Sequence, residues 1–261
     1  MALRSPVLNI MVMAAEKAGK KLIRDFGELE NLQVSVKGVG DFVSAADIRS
    51  EKIIRSELSK ARPGFSFLLE EGGQVDGTDS EHRWIVDPLD GTLNFLHSIP
   101  HFAISIALER AGQIVAGVIY NPVTNELFTA EKGGGAFFNN RRMRVSARRR
   151  LDDAVLCTGI PSKGRGDHEL FVQQIKQAMA HVCGVRRTGS AALDLAWVAA
   201  GRFDGFWETG LAPWDIAAGT LMVREAGGFI SCLNGTSDPV SSGCVLASNN
   251  ALHRNLLSSL T

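Results

Sequence analysis

Residues 84–95 read Trp-Ile-Val-Asp-Pro-Leu-Asp-Gly-Thr-Leu-Asn-Phe, and this stretch decides how the chain is interpreted. Its apolar start predicts a strand that carries Asp87 to its end, where Pro88 removes a backbone donor and Gly91 permits a tight turn. Asp87 and Asp90 are three residues apart around this bend, so their side chains can converge on one point. Because two adjacent carboxylates repel each other, a proton or a cation must neutralise them. Hard oxygen ligands of this kind favour Mg²⁺ over zinc.

Residues 87–91 also suit an ordinary surface turn, since Asp, Pro and Gly dominate turns for purely local reasons. The next residues extend the functional interpretation. The backbone N–H groups of Gly91 and Thr92 are expected to open a helix, and a helix start binds anions. On this interpretation a metal and a phosphate would bind side by side at the bend. Other segments of the sequence bear on whether the bend is such a site or an ordinary surface turn.

Composition indicates an ordinary globular chain with no global bias in charge. Of its 261 residues 45% are hydrophobic and 21% charged, and the formal net charge is zero, which gives no general reason to expect nucleic acid or a membrane as the main partner. No window of about 18 apolar residues predicts a transmembrane helix. Four widely separated cysteines favour reduced thiols in the cytoplasm and argue against a zinc site. They are Cys157, Cys183, Cys232 and Cys244.

The first 26 residues resemble a signal peptide only superficially. Pro6 and Asn9 interrupt the apolar run, and the apolar residues recur at spacings of three and four. This pattern predicts an amphipathic helix that is capped by Ser5 and has Pro6 in its first turn.

Three further segments carry acids at the ends of predicted elements. Asp47 begins a second amphipathic helix, and the strand-like run 65–69 ends in Glu70 and Glu71. Asp215 opens a helix after Pro213. Each of Asp47 and Asp215 has a simpler explanation, because acids in a first turn complement the helix dipole. The alternative is that they join a common metal site.

The two halves of the chain are expected to differ in the order of their strands and helices. Residues 102–130 predict an antiparallel meander, and the second half alternates strand and helix, with a helix over roughly 167–180 and a strand over 204–207. Between them, residues 141–150 contain six arginines, which predict a solvated linker or, alternatively, a polyanion site. In the second half, Gly189-Ser190-Ala191 forms a helix start near Arg186 and Arg187, a candidate phosphate or hydroxyl site.

Two motifs resemble a known family. Residues 84–95 are similar to the first signature of the inositol monophosphatases, Asp-Pro-Ile/Leu-Asp-Gly-Thr-x-Asn-Phe, and residues 214–219 to their second, Trp-Asp-x-Ala-Ala-Gly. Further matches at residues 40–47, 70–71 and 186–195 and at Glu208 extend the resemblance over nearly the whole chain, which is most similar to bacterial members.

The resemblance implies a layered α-β-α-β-α fold, the five-layer sandwich of inositol monophosphatases and fructose-1,6-bisphosphatases. It implies one domain, 1–261, with a metal-binding α+β half at about 1–145 and an α/β half at 146–261. Two or three Mg²⁺ ions per subunit are implied, with lithium sensitivity. One ion would be held by Glu70, Asp87 and the backbone carbonyl of Leu89, and another by Asp87, Asp90 and Asp215. A weaker third would lie near Glu70.

The resemblance also assigns the remaining site residues. The implied catalytic residues are Asp47, Glu70 and Thr92, of which Asp47 and Thr92 would orient the attacking water. The implied substrate-binding residues are Gly91, Thr92, Arg186, Gly189, Ser190, Ala191, Glu208 and Asp215.

The implied activity is Mg²⁺-dependent hydrolysis of an inositol phosphate, a small-molecule phosphate monoester, by a cytoplasmic homodimer. Phe137 and Phe138 are candidate anchors of the dimer. A sister phosphatase acting on fructose 1,6-bisphosphate, a 3'-phosphoadenosine nucleotide, NADP or histidinol phosphate remains an alternative. A regulatory role that contacts RNA or transcription proteins is another, and it is compatible with catalysis.

Overall fold

The computed structural model describes residues 4–28, 34–38, 41–161, 166–233 and 238–261. Gly40, which belongs to the matches around the first signature, lies outside these ranges. The α-helices are α1 (Pro6–Phe26), α2 (Ala45–Ala61), α3 (Thr92–Leu96), α4 (His168–His181), α5 (Ala191–Ala199), α6 (Pro213–Glu225), α7 (Pro239–Ser242) and α8 (Asn250–Leu260). The strands are β1 (Val34–Gly38), β2 (Asp41–Ser44), β3 (Ser66–Leu69), β4 (Gly73–Val75), β5 (His82–Asp90), β6 (Ala103–Arg110), β7 (Gln113–Asn121), β8 (Glu126–Glu131), β9 (Gly135–Phe138), β10 (Arg141–Arg142), β11 (Val155–Thr158), β12 (Gly184–Arg186), β13 (Gly205–Thr209), β14 (Phe229–Ser231) and β15 (Cys244–Ser248).

The N-terminal helix is confirmed with its cap. The Ser5 hydroxyl accepts a hydrogen bond from the Leu8 amide at 3.3 Å, and Pro6 is the first helical residue, where its missing N–H costs nothing. In the described part of the chain no helix is both long and apolar enough to cross a membrane.

The larger sheet has the strand order β10-β9-β8-β7-β6-β5-β3-β4. Strands β6, β7 and β8 pair antiparallel, which confirms the predicted meander, and β3 runs parallel to β5. Alternate residues of β6 enter different cores because successive side chains of a strand point to opposite faces. Ile104 and Ile106 pack with the apolar face of α1, whereas Ala103 and Ala107 pack with residues of α5 and α6.

The smaller sheet has the order β12-β11-β13-β15-β14 and lies on the other side of α5 and α6. Its Phe206 and Val245 share a core with these two helices, while Trp207 and Leu246 share a second core with α4 and α8. The layers are therefore α1 and α2, the larger sheet, α5 and α6, the smaller sheet, then α4 and α8. This arrangement confirms the expected α-β-α-β-α fold.

The arginine-rich segment connects the two sheets. Its first two arginines form β10, and residues 143–150 have no regular structure, with most of their side chains exposed. Arg148 pairs with Asp204 at 3.2 Å. A solvated connection is therefore the better interpretation of this segment.

The two candidate dimer anchors differ in their surroundings. The Phe138 ring stacks on Phe128 with 5.0 Å between centroids, and the Arg202 guanidinium lies 4.9 Å from the Phe138 centroid. These contacts are within one chain. Phe137 is half-buried.

Candidate active site

Strand β5 loses its regular pairing where its acids begin. Asp87 pairs with Ser105 and Asp90 with Ala103, and the register shifts between these two pairs. Pro88, which has no N–H to give to the ladder, lies inside this irregularity. The Leu89 amide turns back and donates to Asp87 Oδ1 at 2.9 Å. The bend that the sequence predicts therefore has a local physical cause.

The residues after the bend turn the chain into α3. Gly91 has φ +93°, a left-handed conformation that favours glycine, and a Cβ there would stand 3.1 Å from His101 O. The Thr92 hydroxyl donates to Leu89 O at 2.9 Å. Two groups of the predicted site, the Leu89 carbonyl and the Thr92 hydroxyl, are thus in direct contact.

Glu70 and Asp87 are neighbours because β3 and β5 run parallel. Leu69 pairs with Val86, and the Glu70 amide donates to Val86 O at 3.2 Å. Burial raises the pKa of Glu70 to about 8, and the charges of Asp215 and Asp47 add to the rise, although a hydrogen bond to Asp87 opposes it. Burial also raises the pKa of Asp87, with further contributions from Glu70, Asp90 and Asp215.

Asp90 links the two halves of the chain. Its Oδ2 accepts from the Ser190 hydroxyl at 2.5 Å and from the Ala192 amide at 2.7 Å, both at the start of α5. Burial raises the pKa of Asp90 to about 6, and these hydrogen bonds, together with those from the Ala191 and Gly91 amides, limit the rise.

The other two predicted acids begin helices and also belong to this cluster. Asp47 is 1% exposed in the first turn of α2, and Asp215 Oδ2 accepts from the Ala212 amide at 2.7 Å at the start of α6. Both raise the pKa of Glu70 through their charge. The dipole and cluster interpretations are therefore compatible.

The donor set fits a hard cation by its chemistry. Its side chains are all carboxylates, and the raised pKa values of Glu70, Asp87 and Asp90 express the cost of burying and ionising these groups close to one another. They do not form a ready-made cage, because within the ranges that the structure describes no three Asp, Glu, His or Cys side chains stand together as ligands of one ion. A cleft of about 800 Å³ bordered by Arg62, Arg110 and Lys132 has none of these acids in its lining, so cleft size does not mark the site.

The predicted substrate residues surround the start of α5. Gly189 has φ +93°, and Ser190 caps α5 by accepting from the Leu193 amide at 3.3 Å. Burial raises the pKa of Glu208 to about 8, with contributions from the charges of Asp194, Asp215 and Asp90. Glu208 therefore lies within the electrostatic reach of the acid cluster.

The two neighbouring arginines point to different surroundings. The exposed Arg186 guanidinium donates to Val185 O at 3.1 Å. Arg187 Nη1 lies 3.1 Å from the position that a Cβ on Gly189 would take, and its charge lowers the pKa of Glu208. The charge of Arg187 thus acts on Glu208, and Arg186, the arginine that the resemblance implies for the substrate, precedes it at the end of β12.

Sequence reasoning did not single out Asp194 and Asn94. Burial raises the pKa of Asp194 to about 8, and its Oδ1 accepts from the Thr188 hydroxyl at 2.5 Å. The Asn94 amide group donates to His101 O at 2.7 Å and to Thr188 O at 2.8 Å, which ties α3 to the segment before α5. Asn94 could have been identified by its place in the first signature. Asp194 could have been identified as the single acid in the otherwise apolar helix α5.

Comparisons with known proteins agree with this geometry. Residues 3–261 match the profile of the Inositol monophosphatase family. The chain is 64% identical over 254 residues to the inositol-1-monophosphatase of Mesorhizobium japonicum, covering 97% of this chain and 96% of that protein. It is 43% identical over 255 residues to the Nus factor SuhB of Escherichia coli, covering 98% and 96%. The crystal structure of extragenic suppressor protein suhB from Bartonella henselae superposes with a TM-score of 0.96 at 59% identity, covering 98% of this chain and 99% of that chain. With the fold, the acid cluster and a profile match that spans nearly every residue in agreement, this chain belongs to the inositol monophosphatase family.

Proposed function

We propose that this chain is a Mg²⁺-dependent phosphate monoester hydrolase that converts an inositol phosphate and water into inositol and phosphate. The observation that carries the proposal is the cluster of Glu70, Asp87, Asp90 and Asp215 around the buried Asp87, since neighbouring carboxyl groups that are hard to ionise favour a hard cation. The name of the Mesorhizobium japonicum relative supports inositol phosphate as the substrate class.

We assign one Mg²⁺ to Glu70, Asp87 and Leu89 O, a second to Asp87, Asp90 and Asp215, and a weaker third to the neighbourhood of Glu70. Leu89 O already accepts from the Thr92 hydroxyl, but a carbonyl oxygen has two lone pairs, so one remains for an ion. Bound Mg²⁺ would neutralise the transferring phosphoryl group and lower the pKa of water.

The protein groups then orient the nucleophile. The Thr92 hydroxyl donates its hydrogen bond to Leu89 O, so its oxygen is free to accept a hydrogen bond from the attacking water. The Asp47 carboxylate is the second acceptor, and together the two groups fix the direction of attack. We assign Glu70 as the neighbouring carboxyl group that accepts the proton released by the water.

The substrate is assigned to the two helix starts that meet at Asp90. The amides of Gly91 and Thr92 bind the phosphate. The Gly91 amide, which donates to Asp90 in this structure, exchanges that hydrogen bond for one to the phosphate. The hydroxyls of the inositol ring face the start of α5 and the acids beside it. The assigned residues are Arg186, Gly189, Ser190, Ala191, Glu208 and Asp215.

A substrate panel with Mg²⁺ titration tests this function. We expect hydrolysis of inositol 1-phosphate to exceed that of fructose 1,6-bisphosphate, a 3'-phosphoadenosine nucleotide, NADP and histidinol phosphate, to stop in a chelator and to be inhibited by lithium. Asp87→Asn removes a charge shared by two assigned ions and should abolish turnover. Full activity in a chelator, or near wild-type rates for Asp87→Asn at saturating Mg²⁺, would refute the proposal.

A second, regulatory function is favoured by two observations. The Escherichia coli relative, similar over 98% of this chain, is named a Nus factor, and exposed arginines line the connection between the sheets. We propose an additional contact with RNA or transcription proteins. Binding of these partners that persists in Asp87→Asn would separate this role from catalysis, whereas absence of binding in the wild type would exclude it.

We also propose that the protein works as a homodimer. The half-buried Phe137 remains a candidate anchor, since Phe138 packs within its own chain. Multi-angle light scattering should give twice the mass of the 28.1 kDa chain. A monomer at tens of micromolar protein would contradict the dimer and leave the phosphatase assignment untouched.

A further inference from the structure

One face of α2 is directed at the two turns that carry acids. Ser50 and Glu51 lie three and four residues after Asp47, the spacings that place side chains on the same side of a helix as Asp47. All three are buried, with exposed fractions of 1%, 1% and 7%. Opposite them lie the turns that contain Glu70 and Asp87.

Ser50 holds the bend of β5. Its hydroxyl donates to Pro88 O at 2.9 Å in a buried contact. The β5–β6 register shifts between Asp87 and Asp90, so Pro88 lies outside the regular ladder. A buried carbonyl there needs a donor, and the Ser50 hydroxyl supplies one. The residue that follows Asp87 is therefore fixed to α2.

Glu51 holds the turn after β3. Its Oε2 accepts from the Glu71 amide at 2.8 Å, one residue beyond Glu70. Its Oε1 lies against Gly72, where an added Cβ would approach it to 2.9 Å. The absence of a side chain at Gly72 thus makes room for the Glu51 carboxylate. The Glu70 amide is fixed from the other side by Val86 O at 3.2 Å.

We infer that Ser50 and Glu51 are positioning residues that set the separation of Glu70 and Asp87 and thereby the affinity of the site for Mg²⁺. This inference rests on the proposed metal-dependent function. Ionised carboxylates repel and would separate if their turns were free to move. Two hydrogen bonds from consecutive residues of one helix oppose this movement, and the same helix carries Asp47. Groups that orient metal ligands in this way typically alter metal affinity by about 10- to 100-fold.

The test compares four variants with the wild type. Ser50→Ala removes the hydrogen bond to Pro88 O, and Glu51→Ala removes the one from the Glu71 amide, whereas Glu51→Gln keeps a side-chain oxygen that accepts from the Glu71 amide and loses the charge. Ser56→Ala, on an exposed position of the same helix, is the matched control. The dissociation constant of Mg²⁺ is measured by isothermal titration calorimetry without substrate, and the Tm is measured without metal.

We expect Ser50→Ala and Glu51→Ala to raise the dissociation constant about tenfold or more, with Glu51→Gln and Ser56→Ala within about threefold of the wild type. A lower Tm with an unchanged dissociation constant would show a merely structural role and overturn the inference. If Glu51→Gln binds Mg²⁺ as weakly as Glu51→Ala, the inference is overturned for Glu51, because the charge of Glu51 and not its hydrogen bond would then set the affinity.

Two further outcomes separate this inference from the proposed function. If Glu51→Ala does not fold, Ser50→Ala alone decides the question. A wild type that binds no Mg²⁺ would overturn both the function and the inference. Normal binding by the wild type, Ser50→Ala and Glu51→Ala would overturn the inference alone.

Discussion

Gly159 leaves the space that the Glu208 carboxylate occupies. A Cβ at position 159 would stand 2.0 Å from Glu208 Oε1 and 2.2 Å from Oε2. These atoms are the far end of a flexible side chain, so Gly159→Ala would displace the carboxylate at little cost to folding. This single methyl group therefore offers a way to move a proposed substrate residue without mutating it.

For Gly159→Ala we expect the KM for inositol 1-phosphate to rise by up to about tenfold, because a hydrogen bond contributes about 0.5–1.5 kcal/mol. The KM for p-nitrophenyl phosphate, which lacks ring hydroxyls, should change little, and the Tm should stay near that of the wild type. Steady-state kinetics on both substrates checks this. Equal rises for the two substrates would show that Glu208 does not recognise the hydroxyls.

At the residue scale, the sequence predicted the acids better than their partners. Asp87 and Asp90 were recognisable because Pro88 and Gly91 give the bend between them a local pattern. The hydrogen bond from Ser190 to Asp90 joins residues a hundred positions apart, and no local pattern reports it. Arg186 belongs to the segment that resembles the family, yet it is the charge of the adjacent Arg187 that lowers the pKa of Asp194 and Glu208.

Helices α5 and α6 pack closely enough to be tested with one substitution. A Cβ on Gly219 would stand 2.5 Å from Leu195 Cβ and 2.7 Å from its Cδ1. Leu195 is fully buried, so neither helix can yield without moving its neighbours. Asp215 and Ser190 lie at the starts of these two helices, which makes their spacing relevant to the site.

We therefore expect Gly219→Ala to lower the free energy of unfolding by about 1–3 kcal/mol, the usual cost of overpacking a core. Thermal or urea unfolding measures it. Gly27→Ala is the control, because its nearest contacts would lie at an ordinary 3.6 Å. A Gly219→Ala protein as stable as the control would mean that the helices can move apart freely.

At the element scale, the periodicity of the apolar residues predicted whether a segment is a helix or a strand, and the structure corrected where some of these elements begin and end. The α4 helix was expected to begin near Asp167, and Asp167 is its N-cap, accepting from the Leu170 amide at 2.9 Å. The strand expected over 204–207 extends instead over Gly205–Thr209. Asp204 leaves the strand because its carboxylate accepts from Ser146, Arg148 and the Val155 amide. These partners are far away in the chain, so propensity could not foresee the shift.

At the scale of the whole molecule, the buried acids make stability depend on pH. The pKa of Glu70, Asp194 and Glu208 is raised to about 8 in the folded state, mainly by burial. Unfolded, these acids titrate near 4. Between these values the folded chain binds more protons than the unfolded chain, so stability falls as the pH rises.

Without metal we expect the Tm to fall by several degrees between pH 6 and pH 8, since each kcal/mol corresponds to about 2–4 °C in a domain of this size. Saturating Mg²⁺ should reduce the change of Tm with pH, because a cation replaces the protons of Glu70 and its neighbours. Differential scanning calorimetry with Mg²⁺ and with a chelator checks both statements. A Tm that rises with pH in the chelator would contradict the assigned burial cost.

The order of layers bears on how the protein is made. Helix α6 fills the space between the two sheets, yet it begins at Pro213, long after the larger sheet is complete at Arg142. A ribosome adds about 5–20 residues per second and releases the N-terminal part first. For several seconds the emerging sheet therefore presents an uncovered apolar face, the kind of surface that chaperones bind. A nascent chain halted before Ser190 already carries Glu70, Asp87 and Asp90 but has neither Asp215 nor the hydroxyl that donates to Asp90, so the proposed ion sites are complete only when synthesis is nearly finished.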